Sequence, residues 1–222
     1  MSNRASDVFV DLCVQREYVG RNGGHPCANA ATVARNLKHL MAFARWTKTP
    51  VLSCIDRCDY GQLAEPPDAA PEPHRHPDLR KPTFTVLPRH IVIESDNFLC
   101  VPLNLFHTYQ QAIFTKIHRD PFTNPKLDRL LTELPARRFV VFGLPLESSL
   151  RILALGLLRR GRDVVVIEDA CGYWREQEAR MVLRQLAVKG CRIASTCEFL
   201  TSELAQRGKR KRVNGRPGRF VA

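Results

Sequence analysis

Several signals are missing from this 222-residue sequence, and each absence narrows what the chain can be. It has no apolar run approaching the ~20 residues that a bilayer-spanning helix needs, which excludes a helical membrane span. Its first residues, Met1-Ser-Asn-Arg-Ala-Ser-Asp7, lack the apolar core of a secretory signal, and a cytoplasmic protein is expected. There is no short-spaced cysteine framework, so the eight cysteines are expected to be reduced thiols rather than four disulfides. No internal repeat and no nucleic-acid-binding motif stands out.

What is present is ordinary for a folded domain. Hydrophobic residues make up 44% and charged residues 25% of the chain, and the length suffices for a sizeable core. The net charge of +12 is unevenly spread. From Arg207 onward there are seven basic residues and no acidic one, which reads as a solvated tail without regular structure over 207–222. Electrostatic contact of that tail with nucleic acid is the sharper alternative.

Short β-branched runs alternate with helical periods. Asp7-Val-Phe-Val-Asp-Leu-Cys13 reads as a buried strand, and Ala30 to Trp46 as a helix with Val33, Leu37, Leu40, Met41 and Ala44 on one stripe. Thr49-Pro50 stops that helix before a second strand at Val51–Cys54. Residues 58–88 turn proline-rich and polar, which predicts a long irregular insertion able to close over a pocket. Further strands are predicted at His90–Glu94, Ala112–Thr115, Arg138–Gly143 and Asp163–Glu168, with a short one at Arg192–Ser195. Helices are predicted after Asn124-Pro125, over Glu147–Arg160, over Gln177–Lys189 and over Glu198–Leu204. The alternation implies one α/β domain over 1–206, a three-layer sandwich with a mostly parallel six-stranded sheet covered by helices on both faces.

Ligands of such sheets bind beyond the carboxyl ends of the strands. Asp11 lies at the end of the first strand, Lys116 follows the fourth, the turn Gly143-Leu-Pro-Leu-Glu-Ser-Ser149 follows the fifth, and Asp169-Ala-Cys171 follows the sixth. Taken singly, each is as readily a structural cap or ion pair as a functional group. As an ordered set the sequence resembles the isochorismatase-like cysteine hydrolases, a Rossmann-like group that includes nicotinamidases and N-carbamoyl amide hydrolases. The resemblance covers the chain apart from the insertion and the tail. It implies a pocket in which Asp11 and Lys116 form a charged pair, with Phe122 and the turn residues Leu144, Pro145 and Ser148 against a small ligand. A cis peptide before Pro145, cheap at proline, and a homo-oligomer are also implied, and no cofactor is expected.

One departure matters most. Where the family carries its nucleophilic cysteine this chain has Ser149, and Leu146 stands in place of threonine. A thiol with pKa near ~8.5 becomes a thiolate readily at a helix N-terminus, whereas a serine needs a neutral base in reach. A lysine paired with Asp11 favours its charged form and is a poor base. The expected function is therefore a catalytically degenerate family member that binds a small carboxylate or amide. The alternative is an active hydrolase of C–N or related bonds with Ser149 as nucleophile, Asp11 as proton acceptor and Lys116 stabilising charge. Cys13 and Cys171 are the thiols nearest these motifs, though inert burial is the commoner state of cysteine. Asp56 and Cys58, with His74 or His76, partly echo a metal site, but exposure in a proline-rich loop is the default for the histidines, and no metal is expected.

Overall fold

The structure is a computed structural model that describes residues 6–20, 22–56, 79–93, 101–116 and 118–214. Its centre is β1 (Ser6–Leu12), whose side chains alternate between two cores. Val8, Val10 and Leu12 join one apolar cluster, while Phe9 joins the other. The same alternation runs through β5 (Ala136–Gly143) and β6 (Val164–Cys171): Phe139, Val141, Val164 and Val166 face one way, and Val140, Phe142, Val165 and Ile167 the other. Strands buried on both faces require a helical layer on each. α2 (Ala30–Thr47) and α7 (Thr196–Asn214) cover one face, and α4 (Pro125–Glu133), α5 (Arg151–Arg159) and α6 (Glu176–Val188) cover the other. The short helices α1 (Arg16–Val19) and α3 (Leu105–Thr108) lie in the connections.

With β2 (Val51–Asp56), β3 (His90–Ile93), β4 (Gln111–Lys116) and β7 (Arg192–Ala194), the sheet order is β3-β4-β2-β1-β5-β6-β7, and every pairing is parallel. The sheet thus has seven strands rather than six, because the three-residue β7 pairs with β6 at the edge. The chain leaves β1 towards β2 on one side and returns to β5 on the other, so the switch in strand order falls between β1 and β5. The carboxyl ends of those two strands are where an open α/β sheet presents a crevice.

Local signals explain several boundaries. Asn124 caps α4 by accepting hydrogen bonds from the backbone of Lys126 (3.1 Å) and Leu127 (3.2 Å), with Pro125 in the first turn. α7 is the largest difference from the expected pattern. It begins at Thr196 and continues through Asn214, so the first part of the expected basic tail is helical. At the amino end of the sheet, Arg138 of β5 contacts both Asp7 of β1 and Glu203 of α7, fastening that helix to the strands. Of the predicted insertion, residues 58–78 lie outside the described residues. Residues 79–89 lead into β3, with Lys81 reaching Asp11 and the Leu87 N–H donating to Gln111 on the way.

Candidate active site

Asp11 is 1% exposed and sits opposite Ser53 in the β1–β2 register. Ser53 Oγ donates to one carboxylate oxygen at 2.7 Å, and Lys81 Nζ approaches the other at 2.7 Å. Behind them, Gln111 Nε2 donates to Ser53 Oγ (2.8 Å) and to the Thr85 carbonyl (2.9 Å), while its Oε1 accepts from the Leu87 backbone (2.7 Å). Lys81 is held in place by its own segment. Gln15 Nε2 donates to the Leu79 carbonyl (2.7 Å), and the Arg16 N–H donates to the Arg80 carbonyl (2.9 Å). A buried carboxylate must be paired and hydrogen-bonded to remain charged, and this network supplies both.

The expected pairing of Lys116 with Asp11 is corrected by this geometry. Lys116 Nζ contacts the Asp56 carboxylate and donates to the His118 carbonyl at 3.2 Å, while Lys81 takes Asp11. The physical reason lies in the register. Asp56 and Lys116 are Cα partners at the ends of the adjacent strands β2 and β4, whereas Asp11 is one strand further across. Burial alone would lower the Lys116 pKa, but the Asp56 carboxylate in contact with it outweighs burial and holds the ammonium above the ordinary lysine value. Lys116 is therefore a fixed cation and not a base.

The turn after β5 begins at Gly143, whose φ of +117° suits glycine. A Cβ there would overlap the Leu12 carbonyl oxygen, so this close approach of β5 to β1 also needs glycine. Leu144 N–H donates to that same carbonyl at 2.8 Å. The Leu144–Pro145 peptide is cis, as the resemblance implied. A single π turn, Leu146–Leu150, then leads into α5. Such turns recur at functional sites. Ser149 is 2% exposed within it, Leu144 is buried, and Pro145 and Ser148 are half-buried. Glu147 anchors the turn to the end of β6, its Oε1 accepting from the backbone of Trp174 (2.6 Å) and Arg175 (2.8 Å). Phe122 lies beneath the Arg160 guanidinium, 3.9 Å from the ring centroid, and against Gly156 of α5.

Asp11, Lys116 and Ser149 are thus all buried near the carboxyl ends of β1, β4 and β5. The two carboxylates each have their own lysine, and neither carboxylate is hydrogen-bonded to Ser149 among the described residues. The thiols near the site do not replace it. Cys13 and Cys171 are fully buried in the core, and burial raises both thiols well above the ordinary value. Cys171 also donates to the Ile167 carbonyl. Nor do the described residues fit a metal. Asp56 is engaged by Lys116, no three potential ligands converge among the described residues, and Cys58, His74 and His76 lie outside them.

The sequence pattern missed Lys81, Ser53 and Gln111. Lys81 is 70 positions from Asp11 in a segment without helical or strand periodicity, and no local signal links the two.

Comparisons with known proteins agree with this architecture. The isochorismatase domain model matches residues 7–198. No curated protein matches the chain in sequence. Among solved structures, an isochorismatase-like hydrolase from Alkaliphilus metalliredigens superposes with a TM-score of 0.64 at 14% identity, over 89% of this chain and 99% of that one. Pyrazinamidase of Pyrococcus horikoshii, in complex with zinc, gives 0.65 at 14% identity, over 86% and 99%. MAR1 ribonuclease from Caenorhabditis elegans gives 0.57 at 14% identity, over 86% and 77%. At these identities the structures speak for the fold alone, while the family model spans most of the chain in sequence. The seven-stranded parallel sheet, the turn at Gly143 and that match together make this chain a member of the isochorismatase family.

Proposed function

We propose that this protein uses the isochorismatase-type pocket to bind a small carboxylate or amide and has lost most or all of the thiol-dependent hydrolysis. The observation that carries this reading is Ser149, a buried alcohol at the start of α5 where the family's pattern calls for a thiol. An alcohol at that place needs a base. The nearest candidates are engaged elsewhere, since Asp11 already accepts from Lys81 and Ser53, and Lys116 is held charged beside Asp56. Binding is supported by the half-buried Ser148 hydroxyl and Pro145, which lie at the surface of the turn that carries Ser149. The similar structures named as pyrazinamidase and nicotinamidase make neutral aromatic amides the first compounds to try. A cytoplasmic setting and a homo-oligomer belong to the same reading. All described cysteines are free thiols, in keeping with a reducing compartment.

The test is a side-by-side assay of wild type and Ser149→Cys on isochorismate, N-carbamoyl compounds and small amides, together with melting curves of wild type in the presence of each. The expected result is turnover only in the cysteine variant and ligand-induced stabilisation of wild type. Wild-type turnover that disappears in Ser149→Ala would replace this reading with that of an active serine-dependent hydrolase.

A further inference from the structure

We propose that the outer face of α2, with Arg207 of α7 beside it, is a binding surface for single-stranded nucleic acid, with Trp46 as the platform on which a base stacks. It is independent of the pocket. α2 runs from the carboxyl end of β1 to the amino end of β2, so its last turn lies at the opposite end of the sheet from Ser149.

The argument starts from charge of one sign. No acidic residue occurs between Glu17 and Asp56. Within α2, the apolar stripe Val33, Leu37, Leu40, Met41 and Ala44 is buried against the sheet. Arg35, Lys38, Ala42 and Arg45 follow at spacings of three and four residues and so share the other face. Lys48 caps its end. Arg35, Lys38 and Lys48 are exposed, and Arg45 is half-buried. Among the described residues none of these cations is paired with a carboxylate. Two are held in place by the segment beneath them: Lys38 Nζ lies 5.5 Å over the Phe84 ring, and Arg45 donates to the Phe84 and Val86 carbonyls at 3.4 and 3.5 Å. Unpaired, positioned cations on a surface favour a polyanion.

The second observation is aromatic. Trp46 is 65% exposed, with its ring edge-on to Phe43 at 6.3 Å. The Arg207 guanidinium lies 5.6 Å from the centre of the same Phe43 ring, which brings the end of α7 beside Trp46. The acids earlier in α7 are turned to other work: Glu203 is buried against Arg138, and Glu198 accepts from Ser195. A flat exposed ring among phosphate-binding cations matches the chemistry of single-stranded nucleic acid, which offers both charge and unstacked bases. An anionic membrane is a poorer fit, because the apolar face of α2 is already buried and cannot insert. Duplex DNA would use the charges but leave the indole idle.

The experiment is fluorescence anisotropy of labelled single-stranded RNA and DNA against the full chain over a series of salt concentrations. A Trp174→Phe background lets Trp46 report by its own emission. The expected result is binding whose log K falls linearly with log salt, with quenching of Trp46. Trp46→Ala should lower the affinity about tenfold, the loss of one stacked base, with the salt slope unchanged. Arg35→Gln combined with Lys38→Gln should reduce the slope by about 1.4. These side chains are exposed, and unchanged melting temperatures would confirm that the variants fold. Ser149→Ala, in the pocket, should bind nucleic acid as wild type does. The proposal is overturned by absence of salt-dependent binding, by variants that bind as tightly as wild type, or by equal affinity for duplex DNA or anionic vesicles that ignores Trp46→Ala.

Discussion

The ammonium of Lys81 lies 2.7 Å from a carboxylate oxygen of Asp11, with side-chain exposures of 4% and 1%. That pairing takes the role expected of Lys116 and leaves Lys116 to Asp56. The buried Asp11 and the half-buried Asp56 therefore each pair with their own buried lysine. Asp11 already accepts from both Lys81 and Ser53, which limits its use as a proton acceptor.

Removing Lys81 leaves a buried carboxylate without its cation, and breaking such a pair from one side costs about 3 kcal/mol or more. Lys81→Met is expected to destabilise the fold by about that amount. Adding Asp11→Asn should recover most of the loss, because a neutral amide needs no cation and its oxygen still accepts from Ser53. Urea denaturation of the two single variants and the double variant measures the coupling. Losses that simply add would show that the pair does not interact.

Lys116→Met is expected to cost less. Its partner Asp56 is 14% exposed on the side chain, so water can solvate the orphaned carboxylate where it cannot reach Asp11. A loss of about 1.5–2 kcal/mol is expected, the lower part of the range for a hydrogen bond to a charged group. The same denaturation series ranks the two lysines. The reverse order would contradict the burial difference.

Alkaline pH should weaken the fold through buried thiols. Burial pushes Cys54 up to about 12 and raises Cys13 and Cys171 well above the ordinary value. The folded state therefore keeps protons that the unfolded state releases from about pH 8.5 upward. Their stabilisation is full below that pH and is lost as pH rises, by about 1.4 kcal/mol per unit for each thiol until the folded thiol itself ionises. Lys116, also raised, acts in the same direction at higher pH. Stability measured from pH 8 to 10.5 (~two units above the unfolded thiol value) should fall, and Cys54→Val should flatten the slope. An unchanged slope in that variant would remove Cys54 from the account.

Gly143→Ala tests the turn that carries Ser149. The residue has φ of +117°, and a Cβ would meet the Leu12 carbonyl that accepts from Leu144. A loss of about 2–3 kcal/mol is expected from strain and displacement together. Ligand-induced stabilisation should disappear as well, because β5 and the turn can no longer close on β1. Retained ligand response in a folded Gly143→Ala protein would show that the turn tolerates the shift.

Periodicity alone determined the architecture. The short apolar runs Val8–Leu12 and Phe139–Phe142, the helical stripe from Val33 to Ala44 and the Asn124-Pro125 cap are local patterns, and each appears in the fold at the expected place. The position of Ser149 in the turn after Gly143 was equally legible, since backbone conformation there depends on neighbouring residues. One local reading fell short. The last helix, expected to end at Leu204, runs on to Asn214 because contacts such as Glu203 with Arg138 anchor a segment whose own pattern is mostly polar, whereas the short strand expected at Arg192–Ser195 forms and joins the sheet beside β6 as a seventh strand. The ion pairs were beyond the reach of sequence. Which lysine meets which carboxylate depends on strand order and on a segment that returns 70 positions later. Electrostatic partnership is set by distance in space, and only the tertiary structure brings Lys81 to Asp11 and Lys116 to Asp56.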